Sequence, residues 1–134
     1  MFHKFKDRMP SKPPPFKQRT FASADLACVA AAVAAREAAL SAGVKTHGEA
    51  VAGAYGERAT TLADAYALTG GNSAIRDAVK RAWESFNAAI RTTRKRWQEA
   101  RDKAWKQFRT AIKSCKISTE VLDTANASSE PKGE

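Results

Sequence analysis

The sequence predicts an all-α fold: a long antiparallel hairpin of two coiled-coil-like helices with disordered termini. Three observations predict it: two stretches in which apolar residues recur every eleven positions, a glycine-rich break between them, and proline-rich or acidic ends. An eleven-residue repeat corresponds to about 3.67 residues per turn, so such residues form a nearly straight stripe along a helix. The chain of 134 residues has room for one domain. The predicted segments are a basic, Pro-rich leader (1–22), a helix (23–69), a turn (70–72), a second helix (73–116) and an acidic tail (117–134).

The second predicted helix carries the clearer repeat. Its segment 81–90 recurs as 103–112, with Ala-Trp-x-x-Phe in both copies. The offset equals two blocks of eleven, so both copies lie on the same helix face. The apolar rows of this helix are Ile75, Phe86, Trp97 and Phe108, then Ala78, Ala89, Ala100 and Ala111, then Val79, Ile90, Arg101 and Ile112.

The first predicted helix has two rows of the same spacing. Ser23 is its predicted cap, with Asp25 in the positively polarised first turn. The rows are Val29, Leu40, Val51 and Leu62, and Val33, Val44, Tyr55 and Tyr66. Four internal glycines each cost about 1 kcal/mol of helix stability relative to Ala. Because the stripe keeps its phase across them, we expect one continuous helix with a weak centre.

The break at 69–73 contains two adjacent glycines. Gly70 or Gly71 can adopt the left-handed conformation that closes a helix, and Asn72 or Ser73 can cap the next one. So short a connection makes the two helices antiparallel neighbours.

Only two cysteines occur, Cys28 and Cys115. If the chain folds back near residue 71, position 28 faces a position close to 114, and we predict a disulfide between the two cysteines. Such a bond indicates an oxidising compartment. The alternative is two buried thiols that pack as small hydrophobic groups. A metal site is not expected, because two thiols without further ligands cannot complete a tetrahedral shell.

Several of these features together resemble those of a known group of proteins. An Ala-rich helix that begins around Cys28, the Ala-Trp-x-x-Phe repeats and the closing segment 111–116 resemble a group of small bacterial proteins of uncharacterised function. The resemblance covers roughly residues 25–116. It implies a secreted helical hairpin with a cysteine near each end, and it supplies no catalytic residues.

Positive charge is concentrated in the second helix. The whole chain has a formal net charge of +9, and residues 72–116 contain thirteen basic and four acidic side chains. Such a helix favours polyanions, although a solvated charged face is the alternative. The candidate polyanion-binding residues are Arg91, Arg94, Lys95, Arg96, Lys106, Arg109 and Lys113.

Two tryptophans are candidate interface residues. Trp83 and Trp105 form a row with Arg94 to one side of the second helix's stripe. Trp is enriched at protein interfaces, and the alternative is that both residues form the edge of the core. Because two helices leave the flanks of their stripes uncovered, we also expect self-association into a four-helix bundle.

Catalytic patterns are missing from the sequence. His47 belongs to an eleven-spaced row with Arg36 and Arg58 on the flank of the first helix's stripe, and His3 lies in the leader. We expect His47 to be a surface residue rather than a base or a ligand. We find no nucleophile with a base and no phosphate-binding glycine loop, so we expect no enzyme, no cofactor and no metal. No apolar run approaches the ~20 residues of a membrane span, and no secretory signal is recognisable.

The expected function is therefore a structural or interaction protein at or outside the cell envelope, working through self-association or a protein partner. The alternative is a nucleic-acid-binding module, in the cytoplasm, that uses the basic second helix and leader. Adhesion to an anionic membrane or glycan surface is a third hypothesis.

Overall fold

The computed structural model describes residues 23–118, 122–123 and 125–133. Helix α1 spans Ser23–Tyr66 and helix α2 spans Asn72–Ile112, followed by a short 3-10 turn at Ala127–Ser129. The two helices pack antiparallel along their length, and the described residues contain no strand. The predicted all-α helical hairpin is confirmed. The predicted leader lies outside the described residues.

The hairpin turn runs from 67 to 71. Gly71 has a φ of +93°, which an L side chain rarely adopts, and its carbonyl accepts the backbone N–H of Ile75. Gly71 also precedes the first residue of α2, and no side chain caps that helix. The predicted side-chain cap is therefore wrong: because α2 begins at Asn72, both Asn72 and Ser73 lie inside its first turn.

Both helices end a few residues before the predicted bounds of 69 and 116. At the end of α2 the backbone N–H of Cys115 bonds to the carbonyl of Ile112, and Lys116 has a φ of +22°. The chain leaves the helix here and brings Cys115 against α1.

A disulfide joins the open ends of the hairpin. Cys28 and Cys115 are bonded, with their Cα atoms 5.6 Å apart, and Cys115 is almost completely buried. The predicted pairing is confirmed. The fold-back near residue 71 that the prediction assumed matches the observed turn.

The centre of the helix pair is a seam of small residues spaced by eleven on each helix. They are Ala32, Gly43, Ala54 and Ala65 on α1, and Ala82, Thr93, Ala104 and Cys115 on α2. All are buried except Gly43, which is half-buried. Small side chains let the two helix backbones approach closely. This seam was not among the predicted rows. The alanine row that was predicted for α2 is half-buried or exposed instead: Ala78, Ala89, Ala100 and Ala111.

The predicted apolar rows flank this seam unequally. Leu40, Trp97 and Phe108 are buried and form the main cluster with neighbouring seam residues and Trp105. In the second row of α1, however, three members are exposed: Val44, Tyr55 and Tyr66. That row lies at the margin of the helix pair rather than in its core. Helix α1 is unbroken through its glycines, as expected.

The C-terminal segment, residues 122–123 and 125–133, lies against the helix pair. The indole N–H of Trp97 donates to the carbonyl of Pro131 over 2.8 Å, and that of Trp105 donates to Glu130 Oε1 over 3.3 Å. Ala127 packs on the core cluster. The expectation of a disordered tail does not fit these residues, because the two indole groups need acceptors where they are buried and the segment supplies them.

Candidate interaction groove

One margin of the helix pair forms a groove lined by aromatic and cationic side chains. At the disulfide end, the guanidinium of Arg36 lies 4.2 Å from the ring centroid of Trp105 and 4.5 Å from that of Phe108. We call Arg36, Trp105 and Phe108 the covered cluster, because the C-terminal segment lies over it. Arg36 Nη1 is 3.1 Å from Asp123 Oδ2, and the Arg36 side chain is only 4% exposed.

Nearer the turn, the same three residue types meet again. The guanidinium of Arg58 lies 4.2 Å from the ring centroid of Trp83 and 4.3 Å from that of Phe86. Tyr55 adds a third ring, 4.7 Å from the guanidinium and edge-on to Phe86. We call Arg58, Trp83 and Phe86 the open cluster, because no described part of the chain lies over it and Trp83 remains 44% exposed.

The two clusters are copies related by translation along the hairpin. Arg58 follows Arg36 by 22 positions on α1, while Trp83 and Phe86 precede Trp105 and Phe108 by 22 on α2. Because the helices are antiparallel, these opposite shifts correspond to the same movement of about 33 Å along the long axis.

His47 and Trp97 occupy the midpoint between the clusters. His47 Nδ1 lies 3.3 Å from Thr93 Oγ1, and Trp97 donates to Pro131 as described above. The Nε of Arg94, eleven positions from both Trp83 and Trp105, is buried and has no hydrogen-bond partner among the described residues. Arg36, His47 and Arg58 therefore place a cationic or imidazole group at eleven-residue intervals from the covered cluster to the open cluster.

The row Arg36, His47 and Arg58 was predicted on the flank of the α1 stripe with His47 at the surface, whereas His47 is half-buried. The row lies against α2, because each arginine stacks on aromatic rings of that helix. One signal was available: this row and the Trp row of α2 share the eleven-residue period, so the two rows stay in register along an antiparallel pair.

The structure separates the two candidate interface tryptophans. Trp105 is only 2% exposed and lies under the chain's own C-terminal segment, so it is part of the core edge rather than a free surface. Trp83 remains accessible. The difference arises because the C-terminal segment covers the copy at the disulfide end and its described residues do not extend over the other.

The candidate polyanion-binding residues fall on the outer side of α2 with one exception. Arg94 is half-buried in the groove, whereas the other six are exposed. Five of the six follow helical spacing on one face: Arg91, Lys95, Lys106, Arg109 and Lys113. Arg96 lies to the side of this face. The five residues form a linear basic strip that no described residue covers.

By length and composition alone, helix α1 is long and apolar enough to cross a membrane, which was not expected from the sequence. One 18-residue window has a mean hydropathy of 1.4, and 17% of that window is buried. Core helices and signal sequences pass the same test of length and composition. In the structure this helix carries the buried Arg36 and is joined by the disulfide to α2, so a span would carry the basic α2 with it. The expectation of no membrane span stays a prediction.

Comparisons with known proteins find no matching family model, no matching curated protein and no matching solved structure. The resemblance to secreted bacterial hairpin proteins therefore stays an expectation. Within the described residues, no group of three or more His, Cys, Asp or Glu side chains could hold a metal ion.

Proposed function

We propose that this protein is a non-enzymatic interaction protein that works at or outside the cell envelope. One observation carries the proposal: a disulfide fixes two long helices in register while an aromatic row along their margin stays exposed. Tyr55 is 52% exposed and Tyr66 68% exposed, and the rings of Tyr55 and of the exposed Trp83 both pack edge-on against Phe86. Exposed aromatic side chains that lie together on a rigid support are typical of protein-binding surfaces.

The compartment is tested by the state of the two cysteines. A structural disulfide persists in oxidising surroundings and is rare in the reducing cytosol. We expect protein taken from its native host without reductant to contain no titratable thiol and to gain two hydrogens in mass on reduction. Two titratable thiols in non-reduced material would contradict the extracytoplasmic proposal. The mature N-terminus from the same measurement reports whether residues 1–22 are retained.

Self-association is one form that the interaction can take. Two helices and one C-terminal segment leave Val44, Tyr66 and Leu68 in contact with water. Pairing of two hairpins into a four-helix bundle would bury this surface. Sedimentation of the oxidised chain at tens of micromolar tests the idea, and a clean monomer leaves only a different protein as the partner.

Polyanion binding is a second candidate, favoured by the exposed basic strip on α2. Sequence-independent binding to nucleic acid should weaken steeply with added salt, because each phosphate contact releases a counterion. Replacing Arg91, Lys95, Lys106 and Arg109 with Gln should reduce the slope of log affinity against log salt by about three to four. A charge-matched control replaces Lys45, Arg76, Lys80 and Arg81, which are also exposed. Equal losses in both variants would indicate general attraction rather than a site on the strip.

A further inference from the structure

We propose that the open cluster binds an extended acidic segment of a partner protein. In this arrangement a carboxylate of the partner pairs with Arg58, and a carboxylate or carbonyl oxygen accepts the indole N–H of Trp83. The proposal rests on the function proposed above and specifies the chemistry of the partner.

The covered cluster shows what this set of side chains binds. Over it lies an acidic segment of the chain itself that includes the 3-10 turn, with Asp123 ion-paired to Arg36 and Glu130 accepting from Trp105. The stacked rings fix the guanidinium, Asp123 pairs with it, and Glu130 accepts the neighbouring indole N–H. The cluster therefore recognises negative charge and a hydrogen-bond acceptor at the same time.

The open cluster reproduces the geometry of the covered one. The Arg-to-Trp distance is 4.2 Å in both, and the Arg-to-Phe distances are 4.3 and 4.5 Å. The exposure differs: Trp83 is 44% exposed and Trp105 is 2% exposed. An occupied copy and an unoccupied copy of one site account for this contrast.

Charge at the open cluster favours an acidic occupant. Among the described residues Arg58 makes no ion pair, whereas Arg36 pairs with both Glu37 and Asp123. The chain's own leader is a poor match, because residues 1–22 carry six basic side chains and one acidic side chain. A carboxylate of a partner protein would supply the negative counter-charge that Arg58 lacks among the described residues.

The open cluster also lies in line with the segment already bound. The described C-terminal residues run from Asp123, which pairs with Arg36, to Gly133, which lies beside Trp97 and His47. Arg58 is eleven positions beyond His47 on α1, or about 16 Å farther along the same groove. A partner segment can occupy that stretch without displacing the chain's own.

The test uses the full-length oxidised chain and a synthetic peptide of residues 122–134 as the acidic probe. The three indole N–H signals in a ¹⁵N-correlated NMR spectrum report on the tryptophans separately. We expect the Trp83 signal to shift and saturate with added peptide, while the Trp97 and Trp105 signals stay in place because their sites are occupied.

Two controls separate recognition from general charge attraction. Arg58→Gln should weaken the binding about fivefold to tenfold, whereas Arg76→Gln removes the same charge from an exposed position of α2 and should leave it unchanged. A peptide with Asn and Gln in place of Asp123 and Glu130 should not shift Trp83. Unchanged positions of the Trp97 and Trp105 signals in Arg58→Gln verify that the variant is folded.

Three outcomes of the peptide titrations overturn the proposal. They are no Trp83 shift at millimolar peptide, shifts confined to Trp97 and Trp105, and equal binding by Arg58→Gln and Arg76→Gln. A Trp83 signal that changes with protein concentration alone assigns the open cluster to a second copy, which also overturns it. Binding between two copies would still be an interaction function. Free thiols in host material, in contrast, would contradict the envelope proposal without affecting peptide binding.

Discussion

Arg36 holds a buried positive charge against two aromatic rings and beside the carboxylates of Asp123 and Glu37. Contacts of this kind between a desolvated guanidinium and aromatic rings contribute about 2 kcal/mol. The Asp123 side chain is 38% exposed, so solvent screens its part of the ion pair. The rings therefore provide the larger share of the stabilisation, and Asp123 chiefly compensates a buried charge whose other carboxylate, on the exposed Glu37, is 3.6 Å away.

A double-mutant cycle measures that compensation. We expect Asp123→Asn to lower the free energy of unfolding by about 1 kcal/mol, because Arg36 then keeps only the longer contact with the exposed Glu37 carboxylate. In an Arg36→Met background, where no charge is buried, the same change should be nearly neutral. Urea unfolding of the four proteins gives the coupling energy. Equal effects of Asp123→Asn in both backgrounds would show that the carboxylate does not act through Arg36.

Gly43 differs from the other glycines of α1 in what surrounds it. A Cβ at this position would lie 3.0 Å from Trp97 Cζ3 and 3.2 Å from Cε3, whereas a Cβ at Gly48, Gly53 or Gly56 meets nothing within 4 Å. Gly43 thus lets the large ring of Trp97 sit against the helix backbone, and the other three contribute only conformational freedom.

Alanine substitutions should separate these roles. Gly53→Ala should stabilise the protein by about 0.5–1 kcal/mol through helix propensity. Gly43→Ala gains the same propensity but crowds Trp97, so we expect no net gain or a loss of about 1 kcal/mol. Thermal unfolding followed by circular dichroism measures both, with Gly48→Ala as a second open-site control. A stabilising Gly43→Ala would show that Trp97 moves away at little cost.

At the residue scale, the eleven-residue period could be predicted from the sequence more readily than the contacts of individual side chains. The period of eleven was visible, and it located Leu40, Trp97 and Phe108 in the core. It did not distinguish the rows that face α2 from those beside them, because in an Ala-rich helix every face contains small apolar residues. Arg36 and Arg58 were predicted only as members of a row on the flank of the stripe, although aromatic rings on the partner helix can bury a guanidinium.

At the scale of elements, the two helices contribute unequally to their interface. Helix α2 supplies the large buried side chains Trp97, Trp105 and Phe108, while α1 supplies mostly alanine and one buried leucine. An Ala-rich helix forms readily but buries little apolar area, so packing by α2 must hold it in place. The C-terminal segment adds a third layer only over the half of the groove nearest the disulfide.

Removing the C-terminal segment should expose two tryptophans while leaving the hairpin intact. A chain that ends at Ser118 lacks the acceptors for Trp97 and Trp105, and we expect red-shifted fluorescence and stronger acrylamide quenching than in the full chain. Far-ultraviolet circular dichroism should retain its helical signal. Trp83 is already exposed and serves as an internal reference in single-tryptophan variants. Unchanged quenching of Trp97 and Trp105 would mean that the segment does not shield them in solution.

At the scale of the whole molecule, topology followed from few observations. The twin glycines located the turn, and the turn located Cys28 opposite Cys115. The path of the C-terminal segment did not follow from the sequence, because its Ser-, Glu- and Pro-containing composition is typical of disordered chain. Its position depends on side chains distant in sequence, above all the indole groups of α2, and such contacts leave no local periodic signal.

The disulfide should provide a large part of the stability of so thin a molecule. It closes a loop with a sequence separation of 87, for which the chain-entropy model gives roughly 4–5 kcal/mol of stabilisation. The bond also joins the two helix ends that lie farthest from the turn. Without it, the first turns of α1 and the last turns of α2 should open before the rest.

Reduction should therefore lower the urea midpoint of unfolding strongly. The accompanying loss of protection should be uneven along the helices. We expect the reduced chain and the variant with Cys28→Ser and Cys115→Ser to share one lower midpoint, since both lack the cross-link. Hydrogen exchange should then accelerate most at 23–35 and 105–115, while amides near the turn retain more of their protection. A midpoint unaffected by reduction would show that packing between α1 and α2 alone holds the open end together, and the bond would then be a mark of the compartment rather than a source of stability.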